Sequence, residues 1–183
     1  TELIKSAGLV GVSDRDGSVY DYFRDRLIFP IEDPRGQVIG FGARALGEVK
    51  PKYLNSPESP SFVKKSVLYG WSRARKAARR GLPVIVVEGY MDVIAVSSSG
   101  VAAAVAPLGT ALGEDQFRLL WKLSNDPVLC FDGDKAGQIA AQRAIERVLP
   151  LLEPGRSVRL AVLPEGQDPD DILRQKGPDG LRR

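Results

Sequence analysis

Acidic residues follow three apolar runs of this sequence, and their spacing suits metal-dependent phosphoryl chemistry. Asp132 and Asp134 are separated by one glycine, and Asp168 and Asp170 repeat the spacing across a proline. Glu88 opens the segment Glu-Gly-Tyr-Met-Asp after another apolar run. Carboxylates that are crowded together repel and raise one another's pKa unless cations lie among them. If these residues converge, we expect a two-metal site, which transfers phosphoryl groups without a protein nucleophile.

The residue types that are missing narrow this chemistry. The chain has no histidine and one cysteine, Cys130, so it cannot supply a Ser-His-Asp triad, a zinc cluster or an internal disulfide. It also lacks a P-loop motif. Oxygen ligands suit Mg²⁺, Mn²⁺ or Ca²⁺. Cys130 lies in an apolar run and is predicted to be a buried small hydrophobic residue.

Each acidic motif also has a plain structural interpretation. An isolated Asp-Gly-Asp is often only a turn, and Pro-Asp-Asp can cap a helix. The joint placement of the motifs at successive strand ends is what favours a functional site.

The elements that would position these acids alternate between strands and helices after residue 81. This pattern predicts an α/β fold with a parallel sheet flanked by helices, whose functional groups gather at the carboxyl ends of the strands. Because the strands are continuous apolar runs, we expect them to be covered on both faces. The predicted strands are Val84–Val87, Val101–Ala106, Val128–Phe131 and Val158–Leu163. The predicted helices are Ala74–Arg80, Met91–Ser98, Glu114–Leu123, Asp170–Gln175 and a segment with the core stripe Ala141, Ile145, Val148, Leu149 and Leu152.

The first part of the chain is predicted to be rich in β-structure and basic. The runs Leu27–Ile31 and Gln37–Phe41 flank Asp33-Pro34-Arg35-Gly36, which has the composition of a type I turn and predicts a hairpin. Residues 24–80 carry 13 basic and five acidic side chains, whereas residues 81–183 carry 11 and 14. This order fits a surface for a polyanion beside a carboxylate cluster, and on charge alone a solvated basic face fits equally well.

We therefore divide the chain into three parts. Residues 1–80 form a small basic β-rich subdomain, residues 81–169 a metal-binding domain, and residues 170–183 the start of a C-terminal helical part that we expect to be truncated. No run reaches the roughly 18 apolar residues that cross a bilayer, so we expect a cytoplasmic protein without membrane contact.

Seven segments resemble the motifs of bacterial replicative DNA primases of the DnaG type. Four are similar to Toprim motifs and three to the basic motifs of the primase polymerase core, and the resemblance runs from about Arg26 to Gly177. It implies a Toprim (Rossmann-like) sheet. Because topoisomerases and some nucleases share the Toprim acids, the Lys-Tyr-Leu-Asn-Ser-Pro segment is the more discriminating one. The Toprim-like segments are Val-Val-Glu88-Gly-Tyr-Met-Asp92, Pro-Leu-Gly109-Thr, Phe-Asp132-Gly-Asp134-Lys-Ala-Gly and Gln-Asp168-Pro-Asp170-Asp, and the basic ones are Asp-Arg26-Leu-Ile-Phe-Pro, Val-Ile-Gly-Phe-Gly-Ala-Arg44 and Pro-Lys52-Tyr-Leu-Asn55-Ser-Pro.

The resemblance implies a nucleotidyltransferase that makes short RNA primers from ribonucleoside triphosphates on a single-stranded DNA template at the replication fork. By position, the catalytic residues would be Glu88, Asp132 and Asp134, with Glu88 either a metal ligand or the base. The ligands of Mg²⁺ or Mn²⁺ would be Glu88, Asp132, Asp134, Asp168 and Asp170. Asp92 and Lys135 belong to the motifs and are assigned structural or orienting roles. The residues that contact template and nucleotide would be Arg44, Lys52, Tyr53, Asn55 and Lys64, with Lys65 as a substitute for Lys64.

The same resemblance implies that this chain is a fragment of a catalytic core. Zinc is expected only in an N-terminal domain that has no room here, and the replicative helicase would bind a further domain that is also absent. We expect metal and nucleotide binding to survive and primer synthesis by this chain alone to be weak or absent.

Two alternatives stay open. One is a non-catalytic Toprim module that binds nucleic acid or protein, and the other is a topoisomerase-type or nuclease-type enzyme that forms a phosphotyrosine link. None of the tyrosines lies in a separate domain that could present it to DNA.

Overall fold

The protein, described by a computed structural model over residues 2–109 and 111–182, divides into two compact units, Thr1–Val63 and Lys64–Arg183. This division lies upstream of the predicted boundary between residues 80 and 81. The segment 64–80 packs within the second unit, since the Gln116 side chain donates hydrogen bonds to the carbonyls of Lys64 and Val67 at 3.2 and 3.0 Å.

The first unit contains two small antiparallel sheets. Helix α1 (Glu2–Ser6) precedes a two-stranded sheet, and a three-stranded sheet in the order β3-β4-β5 follows. The predicted hairpin is confirmed. The Asp33 carboxylate accepts hydrogen bonds from the backbone N–H groups of Arg35 and Gln37, and the Gly36 N–H donates to the Asp33 carbonyl at 3.0 Å. The strands are β1 (Val10–Val12), β2 (Val19–Asp21), β3 (Arg26–Glu32), β4 (Val38–Ala45) and β5 (Tyr53–Asn55).

One face of the three-stranded sheet is apolar at one end and cationic at the other. Phe29 and Ile31 are buried on this face, and the Phe62 ring packs against Gly40, where a Cβ atom would lie 3.1 Å from the ring. Toward the other end, Arg44 is the cross-strand neighbour of Tyr53. Because direct cross-strand partners share a face, the sheet itself brings these two side chains together.

The second unit is an α/β domain whose four-stranded sheet has the order β7-β6-β8-β9, with all three pairings parallel. The predicted fold class, a parallel sheet flanked by helices, is confirmed. The strands are β6 (Val84–Val86), β7 (Ala103–Val105), β8 (Val128–Phe131) and β9 (Arg159–Val162). The helices are α2 (Trp71–Ala78), α3 (Tyr90–Ser99), α4 (Glu114–Leu120), α5 (Lys135–Val148) and α6 (Pro169–Lys176), and short 3-10 turns occupy Lys64–Ser66, Leu149–Leu151 and Pro178–Gly180.

Helices α2, α4 and α5 pack on one face of this sheet. Their buried residues, among them Trp71, Phe117 and Val148, form one cluster with alternate strand residues such as Val86 and Leu129. The residues between these positions along the strands are buried too, as Cys130 shows. Cys130 is fully buried, as predicted, and burial raises the pKa of its thiol to about 12.

Two details of the predicted core are wrong. Strand β9 is an edge strand and is not covered on both faces, because Leu160 is 41% and Val162 89% exposed. In the predicted helical stripe, Val148 is buried but Leu149 and Leu152 are 59% and 41% exposed. Helix α5 ends at Val148, so the helical period no longer turns the last two leucines toward the core.

Helix α6 continues the second unit and packs against α3. The Asp168 carboxylate caps it by accepting a hydrogen bond from the Asp171 N–H at 2.7 Å. None of the helices in the described ranges combines the length and hydropathy needed to cross a membrane.

Gly133 joins the loop after β8 to the loop after β9. Its N–H donates to the Gln167 carbonyl at 2.9 Å, and its carbonyl accepts from the Gly166 N–H at 3.2 Å. A Cβ atom on Gly133 would lie 1.9 Å from the Pro164 carbonyl oxygen, so only glycine allows this approach. The contact places the Asp132–Asp134 turn beside the segment that leads to Asp168.

We expect Gly133→Ala to lower the free energy of unfolding by roughly 1–3 kcal/mol, because the added carbon forces two backbone segments apart. Thermal denaturation followed by circular dichroism measures the change. Gly47→Ala is the matched control, since a Cβ there meets no atom within 4 Å. Equal melting temperatures for the two variants would contradict the packing role of Gly133.

Candidate functional site

The carboxyl ends of β6 and β8 form the switch point of the sheet. The chain passes from β6 to β7 on one side and then returns to β8 on the other side of β6. Crevices of open α/β sheets bind ligands where the direction of strand order reverses in this way. Glu88 follows β6 and Asp132 follows β8, so the two acids flank this crevice directly.

A hydrogen bond ties these two strand ends together. The Asp132 backbone N–H donates to Oε1 of Glu88 at 3.0 Å. Because β6 and β8 are neighbouring parallel strands with a buried core beneath them, the position of the Glu88 carboxylate is set by the sheet and not by a flexible loop.

The Asp132 carboxyl lies in a concentrated negative field. Burial and then the charges of Glu88, Asp92, Asp168 and Asp134 raise its pKa from 3.8 to about 7. Its Oδ1 atom is buried and accepts no hydrogen bond from the described residues. An oxygen in this setting is a suitable ligand for a cation, which would both neutralise the charge and complete its coordination.

Asp92 belongs to the same cluster, although sequence analysis assigned it only a structural or orienting role. It is 9% exposed, and burial together with Asp168 and Asp170 raises its pKa to about 6. Its carboxylate accepts from the Gly89 N–H at 3.2 Å at the start of α3. The spacing of four residues from Glu88 was the available signal, but an acid in the first turn of a helix is equally typical of capping.

The other predicted ligands serve as helix caps or ion-pair partners. Asp134 Oδ1 accepts from the Gly137 N–H at 2.7 Å at the start of α5, Asp168 caps α6, and Asp170 pairs with Arg174 at 2.7 Å. Each cap occupies one carboxylate oxygen. Over residues 2–109 and 111–182, no three Asp, Glu or Cys side chains are arranged so that they could share one metal ion.

The predicted acids share one negative field at this edge of the sheet, although in the described residues they do not form a ready three-ligand metal site. Glu88 and Asp132 are in direct contact, and Asp134 and Asp168 lie close enough to raise the pKa of Asp132. Asp170 acts on Asp92. The donor set consists of carboxylate oxygens, which fits Mg²⁺ or Mn²⁺. The fourth motif ends at Thr110, which lies outside the described residues.

The first unit carries a separate cationic site around Tyr53. The Arg44 guanidinium carbon and Lys52 Nζ each lie 5.9 Å from the centroid of the Tyr53 ring. Alternation along β5 places Asn55 on the same face as Tyr53. Arg44, Lys52, Tyr53 and Asn55 are thus grouped in one unit, whereas Lys64 begins a 3-10 turn of the second unit.

Comparison with known proteins identifies the family to which these two units belong. The profile of the Toprim domain matches residues 83–161, and the profile of the N-terminal domain of the DNA primase catalytic core matches residues 1–75. The parallel sheet with its acidic carboxyl edge is thus a Toprim domain preceded by a primase-core domain. The DNA primase of Pseudomonas aeruginosa is 52% identical over 176 residues, which are 96% of this chain and 26% of that protein. The chain belongs to the DnaG-type bacterial DNA primase family.

Solved structures agree with this assignment. A DNA primase domain from Pseudomonas aeruginosa matches with a TM-score of 0.93 at 50% identity, over 99% of this chain and 56% of that one. A DnaG primase catalytic domain bound to single-stranded DNA matches with a TM-score of 0.89 at 44% identity, over 99% of this chain and 56% of that one. The chain spans about a quarter of the length of the curated Pseudomonas aeruginosa relative that it matches.

In metal-free buffer, we expect Asp132→Asn to stabilise the protein at pH 8 by about 2 kcal/mol, less than the full shift implies because the side chain is partly solvated. The Asp132 pKa is raised in the folded state, so the folded protein loses stability as the pH rises from about 4 to about 7. The asparagine removes this loss, and its benefit should vanish near pH 4.

Urea denaturation between pH 4 and pH 8 in the presence of EDTA measures this difference. Asp115→Asn is the control, because Asp115 is exposed on the first turn of α4. A difference in the free energy of unfolding between wild type and Asp132→Asn that does not change with pH would contradict a raised pKa of Asp132 in the folded protein.

Proposed function

We propose that this chain provides the metal-binding and template-binding parts of a primase, which makes short RNA primers on single-stranded DNA for replication in the bacterial cytoplasm. The observation that carries the proposal is the meeting of Glu88 and Asp132 at the switch point, within a shared field of carboxylates. The match of the first 75 residues to the primase core distinguishes this function from other Toprim activities.

The acidic cluster would hold Mg²⁺ or Mn²⁺ together with the phosphates of the incoming ribonucleoside triphosphate. A bound divalent cation would supply charge neutralisation and would polarise the reacting phosphate. Asp132 contributes the buried Oδ1, and Glu88 contributes a carboxylate that the Asp132 N–H orients. Glu88 acts as a ligand or as the base that accepts the proton of the attacking hydroxyl.

The helix caps preorient the remaining acids. Asp134 and Asp168 each bind a backbone N–H through Oδ1, which leaves the second carboxylate oxygen as the proposed ligand. Asp170 would have to exchange its partner Arg174 for a cation. Because Arg174 is 73% exposed, this ion pair is weak and the exchange costs little.

The cationic face of the first unit would bind the template. Arg44 and Lys52 would neutralise phosphates, whereas Tyr53 and Asn55 would offer ring contact and hydrogen bonds. The DnaG catalytic domain solved with single-stranded DNA supports this role for the family. Lys64, or Lys65 in its place, would serve nucleotide or template from the second unit.

The rest of the reaction needs parts outside this chain. We assign zinc binding and the contact with the replicative helicase to other domains of the longer protein. Primer synthesis by the 183-residue chain alone is therefore expected to be weak or absent.

Primer synthesis tests the proposal most directly. A chain extended to the length of its relatives should incorporate labelled ribonucleotides on single-stranded template, and Asp132→Ala should reduce the product at least 100-fold, or about 3 kcal/mol. Mn²⁺ titration by calorimetry on the same proteins should show binding to wild type and strongly reduced binding to Asp132→Ala. Lys122→Ala, a change at an exposed position outside the acidic motifs, is the control.

The two readouts separate the alternatives. Mn²⁺ binding without any RNA product would favour a nuclease or topoisomerase, and equally negligible Mn²⁺ binding in both proteins would favour a non-catalytic module. A covalent protein–DNA adduct would identify the topoisomerase type.

We expect Lys52→Ala to weaken binding of single-stranded DNA of any sequence and to flatten its salt dependence by about 0.7 in the log–log slope, the value of one phosphate contact. Fluorescence anisotropy at several salt concentrations measures the slope. Lys5→Ala removes the same charge elsewhere in the first unit, from a lysine that already pairs with Glu2. An unchanged slope for Lys52→Ala would show that Lys52 makes no phosphate contact and that this surface is only solvated.

A further inference from the structure

Helix α2 presents a second concentration of positive charge, separate in sequence from the residues around Tyr53. Four exposed cations lie on the helix and the turn after it, and no acidic residue occurs between Trp71 and Leu82. We call this surface the α2 cationic face. Its members are Arg73, Lys76, Arg79 and Arg80.

The opposite side of α2 is anchored in the core, which fixes the direction of these cations. Trp71 and Ala74 are 7% and 2% exposed, and Ala77 and Ala78 pack against the same core cluster. Arg75 packs inward as well, with its guanidinium carbon 5.4 Å from the centroid of the Trp71 ring. The four members of the cationic face are the side chains that remain toward solvent.

The charges on this face repel one another. Lys76 lies three residues from Arg73 on α2, a spacing at which helical side chains are neighbours, and Arg79 and Arg80 follow in the adjoining turn. Arg73 also lies in the first turn of α2, where the helix dipole disfavours a cation. Favourable interaction with the helix dipole therefore does not explain why all four cations of the α2 cationic face are present.

Several other arginines of the second unit form ion pairs with neighbouring acids. Arg118 pairs with Glu114 and Arg156 with Glu153, both at 2.7 Å. In the described part of the chain, no ion pair includes a member of the α2 cationic face. The α2 cationic face is therefore complementary in charge to a polyanion.

We propose that the α2 cationic face binds the phosphate backbone of a nucleic-acid duplex, independently of sequence. From Arg73 to Ala78, the last residue of α2, the helix rises roughly 7.5 Å, which matches the axial span of about three successive phosphates of one strand of a duplex. Single-strand surfaces add exposed aromatic rings on which bases stack, but the aromatic residue of α2, Trp71, is buried. The identity of the duplex as the template–primer hybrid rests on the proposed function.

A double variant, Lys76→Gln with Arg80→Gln, tests this inference in the 183-residue chain. Glutamine preserves helix propensity, so the fold and melting temperature should be retained. The control, Lys122→Gln with Arg143→Gln, removes the same net charge from exposed positions of the second unit. The probe is a labelled 16-base-pair RNA–DNA hybrid, compared with single-stranded DNA and with phosphatidylserine vesicles.

Anisotropy in EDTA, without nucleotides, should show a salt slope for the hybrid that is lower by about 1.8 in the Lys76/Arg80 variant, corresponding to two phosphate contacts. Between 50 and 200 mM salt, wild type should then lose roughly 12-fold more affinity than the variant. Charge reversal to glutamate at both positions should weaken hybrid binding further.

Three results would overturn the inference: slopes equal to wild type, equal losses in variant and control, or a loss that appears only with single strands or vesicles. The assay uses a preformed hybrid without metal, so absence of primer synthesis would not affect it. Failure of the proposed function would instead appear as missing RNA product while hybrid binding stays intact.

Discussion

Negative charges gathered at one edge of a buried sheet repel each other, and the second unit has to hold them there. Burial raises the pKa of both Asp132 and Asp92. Four neighbouring carboxylates raise the pKa of Asp132 further, and two raise that of Asp92. The parallel sheet supplies the necessary rigidity, because its central strands are fully packed on both faces. Because Gly133 has no Cβ atom, the loop after β9, which leads to Asp168, can approach the loop after β8.

Helix N-termini offset part of this repulsion. Helices α3, α5 and α6 begin after β6, β8 and β9 respectively, so their positive dipole ends lie at the acidic edge. Asp92, Asp134 and Asp168 accept backbone hydrogen bonds at these starts. Capping and metal binding are therefore compatible uses of one residue, since a cap takes one carboxylate oxygen and fixes the direction of the other.

The two units distribute their charged side chains differently. The first unit displays Arg44 and Lys52 around one tyrosine ring, on a short sheet whose register sets their spacing. The second unit concentrates acids at its sheet edge and cations along α2. Both signs suit the proposed function, because cations attract a phosphate backbone and acids would hold reacting phosphates through metal ions.

Local sequence determined most of the secondary structure of this protein and the positions of its acidic residues. Continuous apolar runs predicted the four parallel strands, the Asp33 turn predicted the hairpin, and acids after three of the strands predicted where charge would collect, because these features act over a few residues. Packing decided the rest. Strand β9 is exposed because it lies at the edge of the sheet. Segment 64–80 belongs to the second unit because its carbonyls accept hydrogen bonds from Gln116. Asp92 belongs to the acidic cluster because it is buried beside Asp168. Strand order and burial arise from contacts between residues far apart in the chain, so a short stretch of sequence does not predict them.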